Sequence, residues 1–137
     1  NFFSIFKLFK IVEKNLIISK GFFINISSIH SSVTKKNFTA YSTSKSALTS
    51  LTKSLSIEIG NKVTCVCVEP GAINTRMLHT TLQSKKSFIK LKKDIPVKKI
   101  ALPMDIAKLI YFIVDSKINY MNGSVIDISG GVKNILI

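Results

Sequence analysis

Three short, dense apolar runs, FFINI (22–26), VTCVCV (63–68) and SVIDI (124–128), punctuate a chain that is otherwise largely amphipathic. Runs this short and this apolar suit strands buried on both faces of a sheet. The segments between them read as helix, so the order is helix, strand, helix, strand, excursion, helix, strand. That order is the signature of an open α/β sheet with right-handed parallel crossovers. In such sheets ligands lie outside the carboxyl ends of the strands. The loops that leave the three strands, Ser27–Ser28, Glu69–Thr75 and Ser129–Gly131, are therefore expected to share one rim.

The helical segments are read from their periodicity. Residues 1–14 place Phe2, Ile5, Phe6, Phe9 and Val12 at spacings of three and four, with Lys7, Lys10 and Lys14 largely off that stripe. From Phe38 to about Glu58, Ala47, Leu48, Leu51 and Leu55 form a second stripe. Ser42, Ser46, Ser50 and Ser54 make another line on that helix, suited either to close approach of a second helix or to solvent. Gly60 and Asn61 offer a helix stop, and Pro70 and Gly71 close the second strand. Residues 76–99 are Lys-rich and weakly periodic, with Pro96 as a breaker, and are expected to form an irregular, mobile excursion. From Pro103 or Met104 a helix carries Ile106, Ala107, Leu109, Ile110 and Ile113.

At 137 residues with 46% hydrophobic content the chain has the length of one ordinary domain and enough apolar material for a core. It begins with Asn1 inside an apparent helix, which suggests a fragment. The net charge of +13 raises nucleic acid or an anionic membrane as partners, and a basic module that binds nucleic acid or an acidic carrier protein is an alternative reading of the chain. Nearly all of that charge is scattered lysine, with Arg76 the only arginine, so a solvated basic face is expected rather than a nucleic-acid surface. Cys65 and Cys67 fall on one face of a strand and read as buried. His30 and His79 have no finger-like spacing, and no metal site is expected. Two thiols without a signal peptide fit a cytoplasmic location. The apolar stretches at 1–18 and 106–114 are interrupted by charge, and no membrane span is expected.

Tyr41 and Lys45 are four apart at the start of a helix, which sets their Cβ atoms about 5–6 Å apart on one face. An ammonium that close favours a phenolate, the condition for proton exchange by tyrosine near neutral pH. Ser28, at the end of a strand on the rim, is placed to donate a hydrogen bond to a developing alkoxide. Together they suit reduction of a carbonyl or oxidation of an alcohol. Tyr and Lys at this spacing are common on helix surfaces, so the pair alone decides little.

The combination decides more. INISS, then YSTSKSAL, then VEPGAINT, and last NGSVIDISGG closely resemble, in order and through almost the whole chain, the short-chain dehydrogenase/reductase family. The resemblance implies a partial Rossmann-like, doubly wound parallel sheet, contributing the last three strands with their helices. It implies Tyr41 as general acid/base, and Lys45 as the residue that tunes it and holds the nicotinamide ribose. Ser28 is the implied polarising hydroxyl, selected over Ser27 by the family's thirteen-residue separation from Tyr. A fourth member, an Asn that holds a water in a proton relay, falls on Asn1. Pro70, Gly71, Ile73 and Thr75 match the segment that cradles the nicotinamide of NAD or NADP. Residues 76–99 match the substrate lid, where Met77, Leu78 and Leu82 are candidate substrate contacts, as is His30 beside the catalytic strand. Ser129 stands where the family more often has Asp before two glycines.

The glycine-rich turn that holds the cofactor pyrophosphate in this family does not occur in the chain. Residues 1–137 are thus expected to form one partial domain, catalytic and substrate-binding. The implied partners are a small alcohol or carbonyl substrate and further copies of the chain in a homodimer or homotetramer. A truncated relative without catalysis, or a basic binding module, is the alternative.

Overall fold

The computed structural model describes residues 2–82 and 84–135; Asn1, the expected fourth member of the site, lies outside the described residues. In chain order the elements are α1 (Phe2–Ser19), β1 (Phe22–Ile26), a 3-10 turn (Ile29–Ser31), α2 (Thr39–Glu58) and β2 (Thr64–Pro70). They continue with α3 (Arg76–Thr81), α4 (Lys85–Asp94), α5 (Pro103–Asp115), a 3-10 turn (Asn119–Met121), β3 (Val125–Ile128) and a last 3-10 turn (Val132–Asn134). The strands form one parallel sheet in the order β1-β2-β3, with Phe22 opposite Thr64 and Cys67 opposite Val125.

The alternation within β2 explains the layers. Cys65 packs with Phe9, Leu51, Leu55 and Val63 beneath α1 and α2, whereas Val66 and Val68 pack with Ile113 of α5 on the opposite face. Both cysteines are free and fully buried, and burial pushes the Cys65 thiol up to about 11 and raises that of Cys67. They act as small apolar groups. Among the described residues no cluster of three His, Cys, Asp or Glu is placed to hold a metal, and no helix is long and apolar enough to cross a membrane.

Two expectations change. β1 is half-buried rather than buried on both faces, with Ile26 exposed, because among the described residues it pairs only with β2. The segment 76–99 is not irregular: it carries α3 and α4. Thr75 and Ser84 cap these helices, their side chains accepting from the amides of Leu78 and Ser87. His79 stacks on Phe88 at 5.2 Å between ring centroids and so joins the two helices. α5 begins as the sequence suggests, with Pro103 in its first turn and Asp105 accepting from the Leu102 amide at 2.8 Å.

Buried polar groups tie α2 to the sheet. Asn25 of β1 donates to Thr52 Oγ1 at 2.9 Å, and Thr52 in turn donates to the Leu48 carbonyl at 3.0 Å. No buried side-chain polar atom is left unpaired among the described residues. This fixes α2 along the sheet, and with it the positions of Tyr41 and Lys45.

Candidate active site

The exits of the three strands do converge. The Ser27 amide bonds the Val68 carbonyl at 2.8 Å, and the Gly71 amide bonds the Ile128 carbonyl at 3.2 Å. Gly71 sits so close to the β3 exit that a Cβ there would stand 2.9 Å from Ser129 Cα. Only glycine fits without displacing backbone.

Ser28 is buried and caps the 3-10 turn, its Oγ accepting from the His30 amide at 3.2 Å. Its hydroxyl proton makes no bond to another protein group among the described residues. Ser27 differs: its Oγ donates to the Lys45 carbonyl at 2.8 Å and lies 3.0 Å from Thr49 Oγ1. Ser27 therefore holds the helix, and Ser28 is the serine with donor capacity to spare.

Tyr41 stands at the start of α2, its ring in edge contact with Phe38 at 5.6 Å and His30 at 6.1 Å. Lys45 Nζ lies 5.9 Å from the centroid of that ring and donates to the Ile26 carbonyl at 2.8 Å. Desolvation lowers the Lys45 pKa from its ordinary value. A cavity of about 280 Å³ opens beside Lys45, lined by Ser4, Ile5, Ile24, Asn25, Ile26 and Leu48.

His30 touches both neighbours, through its amide to Ser28 and its ring to Tyr41. Its Nδ1 lies 3.0 Å from the Val33 carbonyl, and burial lowers its pKa despite that bond, so the ring is neutral near pH 7. The bond to a carbonyl requires the proton on Nδ1.

The loop after β2 is braced from outside. Ala72 and Asn74 exchange backbone bonds with Ala101, at 3.2 and 2.8 Å, on either side of Ile73. The Ile73 amide is committed to no protein acceptor among the described residues. Thr75 donates to the Ile73 carbonyl at 3.4 Å while capping α3. Met77 is exposed, and Leu78 and Leu82 are half-buried along α3 and its end.

In the sequence Glu69 stands out only as the first residue of this loop. It is a buried carboxylate that accepts from the Ser31 hydroxyl, from Thr49 at 2.9 Å and from Lys133 Nζ at 2.5 Å. Burial would raise its pKa, but the three donors and the Lys133 charge outweigh burial and hold it below the usual carboxylate value. An acidic residue within a strand this apolar was the available signal, since it requires buried partners.

A family model described as enoyl-(acyl carrier protein) reductase matches residues 1–133. The 3-oxoacyl-(acyl-carrier-protein) reductase FabG of Buchnera aphidicola subsp. Baizongia pistaciae is 34% identical over 134 residues, which is 96% of this chain and 54% of that protein. Carbonyl reductase (NADPH) 2 of Sus scrofa is 32% identical over 134 residues, 96% of this chain and 55% of that protein. Among solved structures, a 7α-hydroxysteroid dehydrogenase complexed with NADH and 7-oxo glycochenodeoxycholic acid superposes with a TM-score of 0.87 at 26% identity, covering 96% of this chain and 52% of that one. The chain thus spans about half the length of the relatives it matches.

Proposed function

Because the chain belongs to the short-chain dehydrogenase/reductase family, we propose that the protein containing it transfers a hydride between NAD(H) or NADP(H) and a secondary alcohol or ketone, with Tyr41 as general acid/base. The observations that support this reading are that His30 links the two neighbours, its amide bonding Ser28 Oγ and its ring meeting Tyr41, and that the half-buried Lys45 ammonium lies 5.9 Å from the Tyr41 ring centroid. The named relatives are consistent with it, since a 3-oxoacyl group and a 7-oxo steroid are both ketones.

The residues present fit a nicotinamide. Gly71 lets the loop after β2 lie against Ser129 at the β3 exit, the Ile73 amide would be available to a carboxamide, and Lys45 would supply a cation for the ribose hydroxyls. When bound, the nicotinamide supplies or accepts the hydride at the substrate carbon. Ser28 donates a hydrogen bond to the substrate oxygen, where negative charge develops during reduction. Tyr41 gives its proton to that oxygen in reduction and takes it back in oxidation. Lys45 lies on the side where charge remains once the proton has left. Its lowered pKa makes its own proton easier to release than that of a surface lysine. The cavity beside Lys45 has room for water and a polar wall at Ser4, which suits a proton relay to Lys45, and the family resemblance assigns Asn1 to such a relay.

The helices α3 and α4 serve as the substrate lid, with Met77, Leu78 and Leu82 toward substrate. Exposed apolar residues on α1 and α5, among them Phe3, Ile11, Tyr111 and Phe112, suit contacts between copies of the chain in a homodimer or homotetramer. A cytoplasmic setting accords with the two buried free thiols.

The reading is tested on the full-length protein by following NADH or NADPH absorbance with a panel of secondary alcohols and ketones. Ser28→Ala should lower kcat about a hundredfold while nucleotide binding persists. Equal turnover by the variant would remove Ser28 from the site. Gly71→Ala should weaken nucleotide binding about tenfold in a fluorescence titration, because the added methyl pushes Ser129 and the loop apart. Unchanged affinity would place the nucleotide elsewhere.

A further inference from the structure

We propose that Glu69 is a positioning residue, which locks together the segments that carry Ser28, Tyr41, Lys45 and the Pro70–Thr75 loop by accepting hydrogen bonds from Ser31, Thr49 and Lys133. The proposal rests on the hydride-transfer reading above.

Each donor belongs to a different segment. Ser31 lies in the turn capped by Ser28, and its amide bonds the Ser28 carbonyl at 2.9 Å. The Ser31 carbonyl accepts from Ser46 of α2 at 2.6 Å, so the turn is held from both ends. Thr49 stands one helical turn after Lys45. Its hydroxyl has a single proton and lies within reach of both Glu69 and Ser27 Oγ, and the charged acceptor is the stronger of the two. The Ser27 hydroxyl proton is thereby left for the Lys45 carbonyl. Lys133 brings in the last 3-10 turn, beyond the β3 exit. Glu69 itself immediately precedes Pro70, so whatever holds its carboxylate also holds the start of the loop.

Stability alone gives no reason for a charge here. A buried ion pair is often no more stabilising than well-packed apolar side chains of the same volume, because both charges lose hydration. What a carboxylate does and an apolar residue does not is fix three donors in direction at once. The groups facing it are Lys133 from the last turn, Ser31 from the turn after β1, Thr49 from α2 and Cys67 two residues earlier on β2. Lys53 of α2 lines the adjoining cavity of about 420 Å³. Lys133 is the largest influence that lowers the Glu69 pKa, so its removal moves that pKa up and lets the carboxyl protonate at higher pH.

The test uses the full-length enzyme. Glu69→Gln should reduce kcat about tenfold with KM within about twofold, since the segments slacken around an unaltered substrate site. Lys133→Met leaves the carboxylate its two hydroxyl donors and so remains folded. In that variant the acid limb of the kcat profile should shift to higher pH, and adding Glu69→Gln should abolish the shift. A merely structural role would lower the melting temperature without moving the limb. Wild-type kcat in Glu69→Gln, or an unmoved limb in Lys133→Met, overturns the proposal. A Tyr41→Phe control separates it from its premise. If that control keeps turnover, Tyr41 is not the general acid/base, and the positioning role built on that site falls with it. If the control is inactive and the other two variants behave as wild type, only the positioning role is lost.

Discussion

Tyr41→Phe in the full-length protein should lower kcat about a thousandfold or more, within the range that general acid–base catalysis supplies. The substitution removes one oxygen and little else. The ring keeps its edge contacts with Phe38 and His30, and Lys45 keeps its bond to the Ile26 carbonyl, which does not involve the phenol. Nucleotide affinity should therefore stay within about threefold of wild type, because an interaction made only in the transition state has been removed. Stopped-flow absorbance at saturating substrate, paired with a fluorescence titration, reads both quantities. Turnover within tenfold of wild type would show that some other group moves the proton. His30 is then the first to examine, since its neutral ring lies against Tyr41 and its amide bonds Ser28.

Phe9→Ala should destabilise the full-length protein by about 3–5 kcal/mol, as expected for a large side chain lost from a well-packed core. Phe9 is 1% exposed and meets Phe23 edge-on at 5.1 Å between centroids. It also packs with Leu51, Leu55 and Cys65, so one side chain joins α1, α2, β1 and β2. The cavity left behind would be apolar, with no polar group to recruit water. Equilibrium urea denaturation gives the loss directly. A change below about 1 kcal/mol would mean that α1 can collapse onto the sheet without it, and that the helix is held chiefly by other contacts.

The sheet was legible because its strands are short and dense: FFINI forms β1 as read, and the β2 and β3 boundaries shift by one or two residues. Tyr41 and Lys45 were legible because their separation is local to one helix. Burial of β1 was misjudged, since apolar density does not reveal how many neighbours a strand has. The helices within 76–99 were missed because α3 has only 6 residues, too few to display a period, and lysine masks the periodicity of α4. Their start signals, Thr75 and Ser84, are single residues that resemble ordinary loop chemistry until the amides they accept from are seen. Glu69 was missed for a different reason. Its ion-pair partner, Lys133, is 64 residues away, and no local pattern announces a pairing of that range.

The placement of β2 between β1 and β3 bears on how the molecule is made. Phe22 pairs with Thr64 and Cys67 with Val125, separations of 42 and 58 residues. During synthesis β2 can pair with β1 at once, but its other edge stays bare until α3, α4 and α5 have followed. Pairings this distant are slow to form, and a bare strand edge is open to the wrong neighbour in the interval. The Glu69 carboxylate waits equally long for Lys133. A ribosome-bound chain stalled before β3 should therefore need a chaperone more than one stalled after Lys133, and catalytic competence should be among the last properties the nascent protein acquires.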